Sequence, residues 1–276
     1  MITFPNAKIN LGLHVLEQRE DGFHNIESVI VPVSFCDSLE VVPDYQGESG
    51  HCSIEVYGLE VQGELSENLC YRAYMQLVEQ YNLPAVNIRL LKNIPMGAGL
   101  GGGSADAAFT IKMLNDLFEL KMTTDLMEGH CADLGSDCSF FIGNEMALAS
   151  GRGEMVDAFN SDMLVGYHVV VVHPGLHIDT GEAYSKITPN TLMRDQLVNI
   201  LGNPMDQWKD TLENDFEAGA FAKYPQLQSI KAQLYDNGAA YASMSGSGSS
   251  LYGLFKDIVP QELQFGEYQV WSGAIG

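Results

Sequence analysis

Residues 95–108 read Pro95-Met96-Gly97-Ala98-Gly99-Leu100-Gly101-Gly102-Gly103-Ser104-Ala105-Asp106-Ala107-Ala108 and hold five of the chain's 28 glycines. Just before them Val86-Asn87-Ile88-Arg89-Leu90-Leu91 alternates as a half-buried strand does. Just after them, Ala107 to Phe118 carries Ile111, Leu114, Leu117 and Phe118 at helical spacing. The stretch is therefore strand, glycine loop, helix. Glycines at such a junction allow positive φ and a close backbone approach, while the first N–H groups and the dipole of the new helix favour an anion. A phosphate is the expected guest. Gly97, Gly99 and Gly102 also satisfy G-x-G-x-x-G, in the strand-to-helix context that motif requires. A P-loop is excluded, because no lysine follows the glycines before Lys112. A dinucleotide fingerprint needs a strand-terminal acid about twenty residues on. Asp125 has that spacing, but Thr123-Thr124-Asp125-Leu126 reads as a helix N-cap, so a dinucleotide site is the runner-up for this loop.

Composition bounds the partners. With 276 residues and 46% hydrophobic content, the chain can bury a sizeable core as one large domain or two closely joined ones. A formal charge of −22 argues against nucleic acid or an anionic membrane as a partner, although a local basic pocket could still hold a phosphorylated ligand. The five cysteines, at 36, 52, 70, 131 and 138, are odd in number and form no C-x-x-C pair. They are expected to be small core residues in a reducing compartment, with neither disulfides nor a protein-held metal. Met1-Ile2-Thr3-Phe4-Pro5 runs into polar residues without a signal peptide, and no apolar run approaches membrane length. A cytoplasmic protein, monomeric or weakly dimeric, is the expectation.

The N-terminal segment Pro5-Asn6-Ala7-Lys8-Ile9-Asn10-Leu11-Gly12-Leu13-His14-Val15-Leu16 alternates from Ala7 and breaks at Asp21-Gly22, a strong turn signal. Phe23 to Val31 resumes the strand, which makes a long hairpin. Lys8 and Asn10, two apart, share one face opposite Ala7, Ile9 and Leu11. Further strands are expected over Ser38 to Val42 and Cys52 to Tyr57, then a helix from Glu67 to about Tyr81 capped by Ser66. Beyond the glycine loop a second helix spans roughly Thr124 to Asp133. Asp137, in Gly135-Ser136-Asp137, reads by itself as a helix N-cap. Tyr167 to His173 looks like a buried strand ended by Pro174-Gly175. Helices are expected near Asp179 to Lys186, Thr191 to Leu201, Glu213 to Lys223 and Leu227 to Asn237, and strands at Ala239 to Met244, Ser250 to Phe255 and Tyr268 to Trp271. Met244-Ser245-Gly246-Ser247-Gly248-Ser249-Ser250 is a second glycine loop, suited to a hairpin turn or to close approach against another loop or a phosphate-bearing ligand.

Pro-x-Ala-Lys-x-Asn-Leu-x-Leu at the N-terminus, Pro-Met-Gly-Ala-Gly-Leu-Gly-Gly-Gly-Ser in the middle, Gly-Ser-Asp before an apolar run and Ser-Gly-Ser-Gly near the C-terminus resemble the GHMP small-molecule kinases. The resemblance covers essentially the whole chain, least strongly from about Pro189 to Tyr235. Arg19-x-Asp21-Gly22-Phe23-His24 sets it apart from mevalonate, homoserine and galactose kinases. It points to a member whose substrate carries a cytidine diphosphate group, in the non-mevalonate route to isoprenoid precursors. Another GHMP kinase, or a noncatalytic nucleotide-binding protein, is the alternative.

The resemblance implies an α+β, two-lobed GHMP kinase fold. The N-terminal lobe, 1–160, would be ribosomal-protein-S5-domain-2-like, the C-terminal lobe, 161–276, ferredoxin-like, with the active site in the cleft between. ATP and Mg²⁺ are the implied cofactors. Lys8 and Asp137 match the catalytic pair, and Pro95, Met96, Gly97, Ala98, Gly99, Leu100, Gly101, Gly102, Gly103, Ser104 and Ala105 match the ATP phosphate loop. Asn68, Leu69 and Lys92 would border the adenine. Asn10, Pro174, Gly175, Thr180, Gly246 and Ser247 match substrate contacts, and His24 the residue bonded to the cytosine edge. Phe23 stands where a tyrosine is usual and Tyr184 where a phenylalanine is usual, so a cytosine sandwich would survive with its ring types exchanged. Asp106 departs from the usual Asn or Ser.

Overall fold

The computed structural model describes residues 1–61, 63–256, 263 and 265–275. In chain order the strands are β1 (Ile2–Thr3), β2 (Asn6–Gln18), β3 (His24–Cys36), β4 (Ser38–Asp44), β5 (Cys52–Gly58) and β6 (Ala85–Lys92). They continue as β7 (Ala147–Ser150), β8 (Met155–Ala158), β9 (Tyr167–His173), β10 (Tyr241–Met244), β11 (Leu251–Lys256) and β12 (Gln269–Ala274). The helices are α1 (Leu69–Tyr81), α2 (Gly102–Leu117), α3 (Thr124–Leu134), α4 (Phe140–Gly143), α5 (Thr180–Ser185), α6 (Leu197–Leu201), α7 (Trp208–Thr211), α8 (Glu217–Lys223) and α9 (Pro225–Asp236). Two compact units interleave along the sequence. The first comprises Met1–Ala7, Cys36–Met96 and Gly101–Asn144, and the second Lys8–Phe35, Gly97–Leu100 and Glu145–Gly276. Both mix helix and sheet, as the expected α+β class requires.

The first unit is built on a four-stranded sheet of order β1-β4-β6-β5. β5 and β6 are parallel, which a tight turn cannot connect, and α1 supplies the crossover between them. β4 lies antiparallel to β6, with Leu39 opposite Leu90 and Val41 opposite Ile88. Alternation along β6 buries Val86, Ile88 and Leu90, and the next residue of that parity is Lys92. Ala73, Tyr74 and Leu77 of α1 and Ala107, Ala108, Ile111 and Leu114 of α2 are buried on the helical side.

Helix starts differ from expectation. The cap of α1 is Asn68, whose side chain accepts from Cys70 N–H at 2.9 Å, while Ser66 lies in a 3-10 turn at Leu65–Glu67. α2 starts at Gly102, inside the glycine motif and ahead of the expected Ala107. Glycine is a poor helix former, but at residue 102 any Cβ would lie 2.8 Å from Ile94 and 2.9 Å from Lys92 Nζ, so close packing overrides propensity. Asp137 is not an N-cap: it sits in the turn between α3 and α4, and the cap position of α4 is Ser139.

The second unit carries two four-stranded sheets, β2-β3-β7-β8 and β10-β11-β9-β12, with the end residues Asn6, Ala7 and Cys36 of β2 and β3 counted in the first unit. The expected N-terminal hairpin is closed at its turn by Arg19 N–H donating to Phe23 O at 2.8 Å. Both faces of β2 are buried: Lys8 and Asn10 are each 3% exposed, so they are not a solvated stripe. β7 and β8, too short to stand out in sequence, extend this sheet through the pairing of Ser28 with Ala149. Val169, Val170, Val171 and Val172 of β9 run through the second sheet, and Leu227, Ile230 and Leu234 of α9 join the core beside it. Trp208 is buried edge-on against Tyr241, and Trp271 stacks on Phe35.

The helix-rich region was the least legible. The expected helix over Thr191 to Leu201 breaks into a 3-10 turn at Thr191–Met193 and α6, with Asp195 between them at φ 61°. The expected helix from Glu213 begins only at Glu217. Leu13 N–H donates to Glu213 O at 3.0 Å and Asp215 N–H to Leu13 O at 3.0 Å, so residues 213–215 run alongside β2 instead. None of the five cysteines is in a disulfide, and burial pushes Cys52 up to about 12. No described helix is long and apolar enough to cross a membrane.

Candidate active site

The glycine loop leaves β6 and enters α2 through residues whose backbones no side chain would fit. A Cβ at Gly99 would lie 1.9 Å from Ser245 O, and Gly101, the N-cap of α2, has φ 71°. The first N–H groups of α2 consequently open on a loop of small residues, the arrangement that suits a phosphate. Residues 97–100 pack within the second unit. Lys8 N–H donates to Leu100 O at 2.9 Å, Ser250 N–H to Ala98 O at 3.1 Å, and Ser245 Oγ to Gly99 O at 2.8 Å. The second glycine loop is thus both the β10–β11 hairpin turn and a close neighbour of the first loop.

Asn214 holds that second loop in place. Its amide nitrogen donates to Met244 O at 2.8 Å and Gly246 O at 2.9 Å, and its oxygen accepts from Phe216 N–H at 2.9 Å. Sequence reasoning missed Asn214, since its partners lie thirty residues on. Within the same unit Lys8 Nζ donates to Asn10 Oδ1 at 2.7 Å, and Asn10 Nδ2 to Ser28 Oγ at 2.8 Å. The Tyr252 hydroxyl donates to Asn10 O at 2.6 Å. This network orients the lysine through a buried amide whose own groups are satisfied.

In the first unit a cavity of ≈ 250 Å³ is lined by Asn68, Leu69, Met96, Gly103 and Asp106 together with Ile54, Val56 and Leu90. Apolar walls with a few polar groups suit a flat base. Lys92 does not line it. Its ammonium is buried between Asp37 and Asp106, donating to Asp106 Oδ2 at 2.8 Å and to Asp37 Oδ2. Asp37 Oδ1 in turn accepts from Asn93 N–H at 2.6 Å and Ile94 N–H at 2.9 Å, which fixes the backbone entering the glycine loop. Asp37 went unnoticed in the sequence, although it shares the parity of the buried Leu39 and Val41. Burial pushes the Asp106 carboxyl up to about 7; Lys92 opposes that rise and Asp37 adds to it.

Asp137 is half-buried, and its chain neighbour Cys138 is fully buried. In the second unit the ring stacked on Tyr184 is His24, with centroids 4.9 Å apart, and Phe216 meets Tyr184 edge-on. Phe23 is 54% exposed, with the Arg152 guanidinium over its ring. Thr180 and Ser247 share a hydrogen bond of 3.2 Å, and Gly175, after Pro174, takes φ 73°. The structure therefore gathers residues 97–100 with the second glycine loop, and His24 with Tyr184, but leaves Phe23 outside that stacked pair.

The sequence matches the GHMP kinases directly. The GHMP kinases N terminal domain matches residues 68–144 and GHMP kinases C terminal matches residues 193–263. A 4-diphosphocytidyl-2-C-methyl-D-erythritol kinase of Azobacteroides pseudotrichonymphae is 46% identical over 93% of this chain and 94% of its own. Its counterpart in Cytophaga hutchinsonii is 47% identical over 92% of each chain, and that of Parabacteroides distasonis 40% identical over the full length of both. The chain belongs to the 4-diphosphocytidyl-2-C-methyl-D-erythritol kinase family. It is thereby an ATP-dependent small-molecule kinase. A crystal structure of a 4-(cytidine 5'-diphospho)-2C-methyl-D-erythritol kinase aligns with TM-score 0.71 at 31% identity, covering 92% of this chain and 90% of that one. The mevalonate kinase of Methanococcus jannaschii shares the fold, with TM-score 0.74 at 11% identity over 100% of this chain and 98% of its own.

Proposed function

We propose that this chain transfers the γ-phosphoryl group of ATP to the 2-hydroxyl of 4-diphosphocytidyl-2-C-methyl-D-erythritol, giving the 2-phosphate and ADP in non-mevalonate isoprenoid precursor biosynthesis. The observation that carries this reading is the 46% and 47% identity to kinases named for that substrate, over 93% and 92% of this chain. Phosphoryl transfer leaves a protein mostly positioning and charge stabilisation to perform. In this reading Asp137 orients the hydroxyl and accepts its proton, and Lys8, oriented by Asn10, offsets charge as the phosphoryl group moves. Residues 95–105 take the phosphates, and the base lies against Asn68 and Leu69. The substrate is held by Asn10, Phe23, His24, Pro174, Gly175, Thr180, Tyr184, Gly246 and Ser247, with the His24–Tyr184 stack as a platform for cytosine. Base stacking of this kind supplies roughly 1–3 kcal/mol.

Among the described residues no group of three or more His, Cys, Asp or Glu is placed to hold a metal ion. In this reading Mg²⁺ would arrive on the nucleotide, held by phosphate oxygens and water, and would offset phosphate charge there. The same reading divides the chain at about residue 160, and it makes the protein a cytoplasmic monomer or weak dimer without nucleic-acid or membrane partners.

The test is ADP release from Mg·ATP with 4-diphosphocytidyl-2-C-methyl-D-erythritol, set beside mevalonate, homoserine and galactose. Turnover is expected with the cytidylyl substrate alone, and Asp137→Asn should lower it by orders of magnitude without changing the melting temperature. Turnover with another alcohol in its place would overturn the substrate, and near-normal turnover by Asp137→Asn would overturn the base.

A further inference from the structure

Three carboxylates, Glu64, Glu67 and Asp106, line the cavity with Asn68, Leu69, Met96 and Gly103; Glu64 and Glu67 are exposed, and only Asp106 is buried. Its two oxygens differ. Oδ2 accepts from Lys92 Nζ at 2.8 Å, whereas Oδ1 is buried and has no hydrogen-bond partner among the described residues. Asp106 is 3% exposed, so bulk water does not serve that oxygen, and leaving a buried acceptor unpaired is costly. Met96 and Gly103 belong to the phosphate loop, which makes the cavity continuous with that loop. Lys92 cannot read a ligand here, because Asp37 and Asp106 occupy its ammonium.

We propose that Asp106 Oδ1 reads the edge of the nucleotide base, accepting a hydrogen bond from the exocyclic amino group of adenine and rejecting a 6-oxo purine. This rests on the kinase reading for the identity of the ligand. A carboxylate has no proton to offer, so a 6-oxo group would set oxygen against oxygen, whereas an amino group satisfies the orphaned acceptor. The groups that face Asp106 are Lys92 from β6, Asp37 ahead of β4 and the Cys70 thiol of α1. With the carboxyl pushed up to about 7, Oδ1 turns from acceptor to donor as the pH falls, and the preference for an amino group narrows.

The experiment is calorimetric binding of Mg·ATP and Mg·ITP, without any acceptor alcohol, at about pH 8 and about pH 6. Wild type should bind ATP about tenfold tighter or more at the higher pH, as a hydrogen bond to a charged group implies, and by less at the lower. In Asp106→Asn the amide oxygen keeps the Lys92 bond and the NH₂ faces the cavity, so the gap should close or invert. Equal binding by wild type at the higher pH, a ratio that ignores pH, or the wild-type ratio retained in Asp106→Asn would each overturn the proposal. Absence of ADP release with every alcohol would sink the kinase reading and leave the base preference standing. Ordinary turnover without base preference would sink Asp106 alone.

Discussion

The two units each hold a cluster of three lysine and carboxylate side chains, built in opposite proportions. In the first unit one ammonium, Lys92, lies between Asp37 and Asp106, whose side chains are 0% and 4% exposed. In the second, one carboxylate, Glu182, takes Lys186 at 2.6 Å and Lys223 at 2.7 Å, and all three are more than 40% exposed. Their titrations diverge. Burial pushes Asp106 up to about 7, whereas the hydrogen bonds from Lys186 and Lys223 draw Glu182 down to about 2. Identical chemistry therefore makes a proton-sharing anion in one place and a solvated ion pair in the other, and the solvent decides which.

The sharpest way to break this contrast is Lys92→Met, which leaves two buried carboxylates without a cation. Removing one partner of a buried ionic cluster costs about 3–5 kcal/mol, so urea denaturation should show a loss of that size. A loss below about 1 kcal/mol would mean that the cluster behaves like a surface pair.

Asp106→Asn sharpens the comparison through pH. The native carboxyl titrates near 7 against an ordinary 3.8, so its contribution to stability is complete below pH 4 and is lost as pH rises through about 7. The melting temperature of Asp106→Asn relative to wild type should rise across that window, and a constant difference would refute the assignment. Glu182→Gln should have the smallest effect. Its lowered pKa puts the stabilising form above the usual carboxylate range, and exposure and salt screen the pair. In about 1 M salt the variant and wild type should melt together; a clear drop there would show that exposure does not govern these clusters.

The contrast also marks what sequence could carry. Val86, Ile88 and Leu90 announced β6, and the same alternation runs on to Lys92, so a buried lysine was written in the pattern. Its partner Asp37 is 55 positions away, and no local signal joins them. Resemblance set Lys92 beside the adenine, and the fold buries its ammonium between Asp37 and Asp106. The glycine loops, the N-terminal hairpin and the β9 valine run were legible because turn chemistry and periodicity are local. The stretch over Glu213 to Phe216 was not, since pairing with Leu13 overrides its helical composition. Likewise Asn214 gains its role only from a loop folded back upon it.

The two tryptophans, Trp208 buried on Tyr241 and Trp271 stacked on Phe35, both belong to the second unit. Intrinsic tryptophan fluorescence is therefore an optical label confined to one half of the molecule, put there by the fold without engineering. The Lys92 cluster and the cavity beside Asp106 carry no tryptophan. A melt followed by emission reports the unit of Lys8 and Tyr184, circular dichroism reports both, and any gap between the two curves measures how cooperatively the halves unfold.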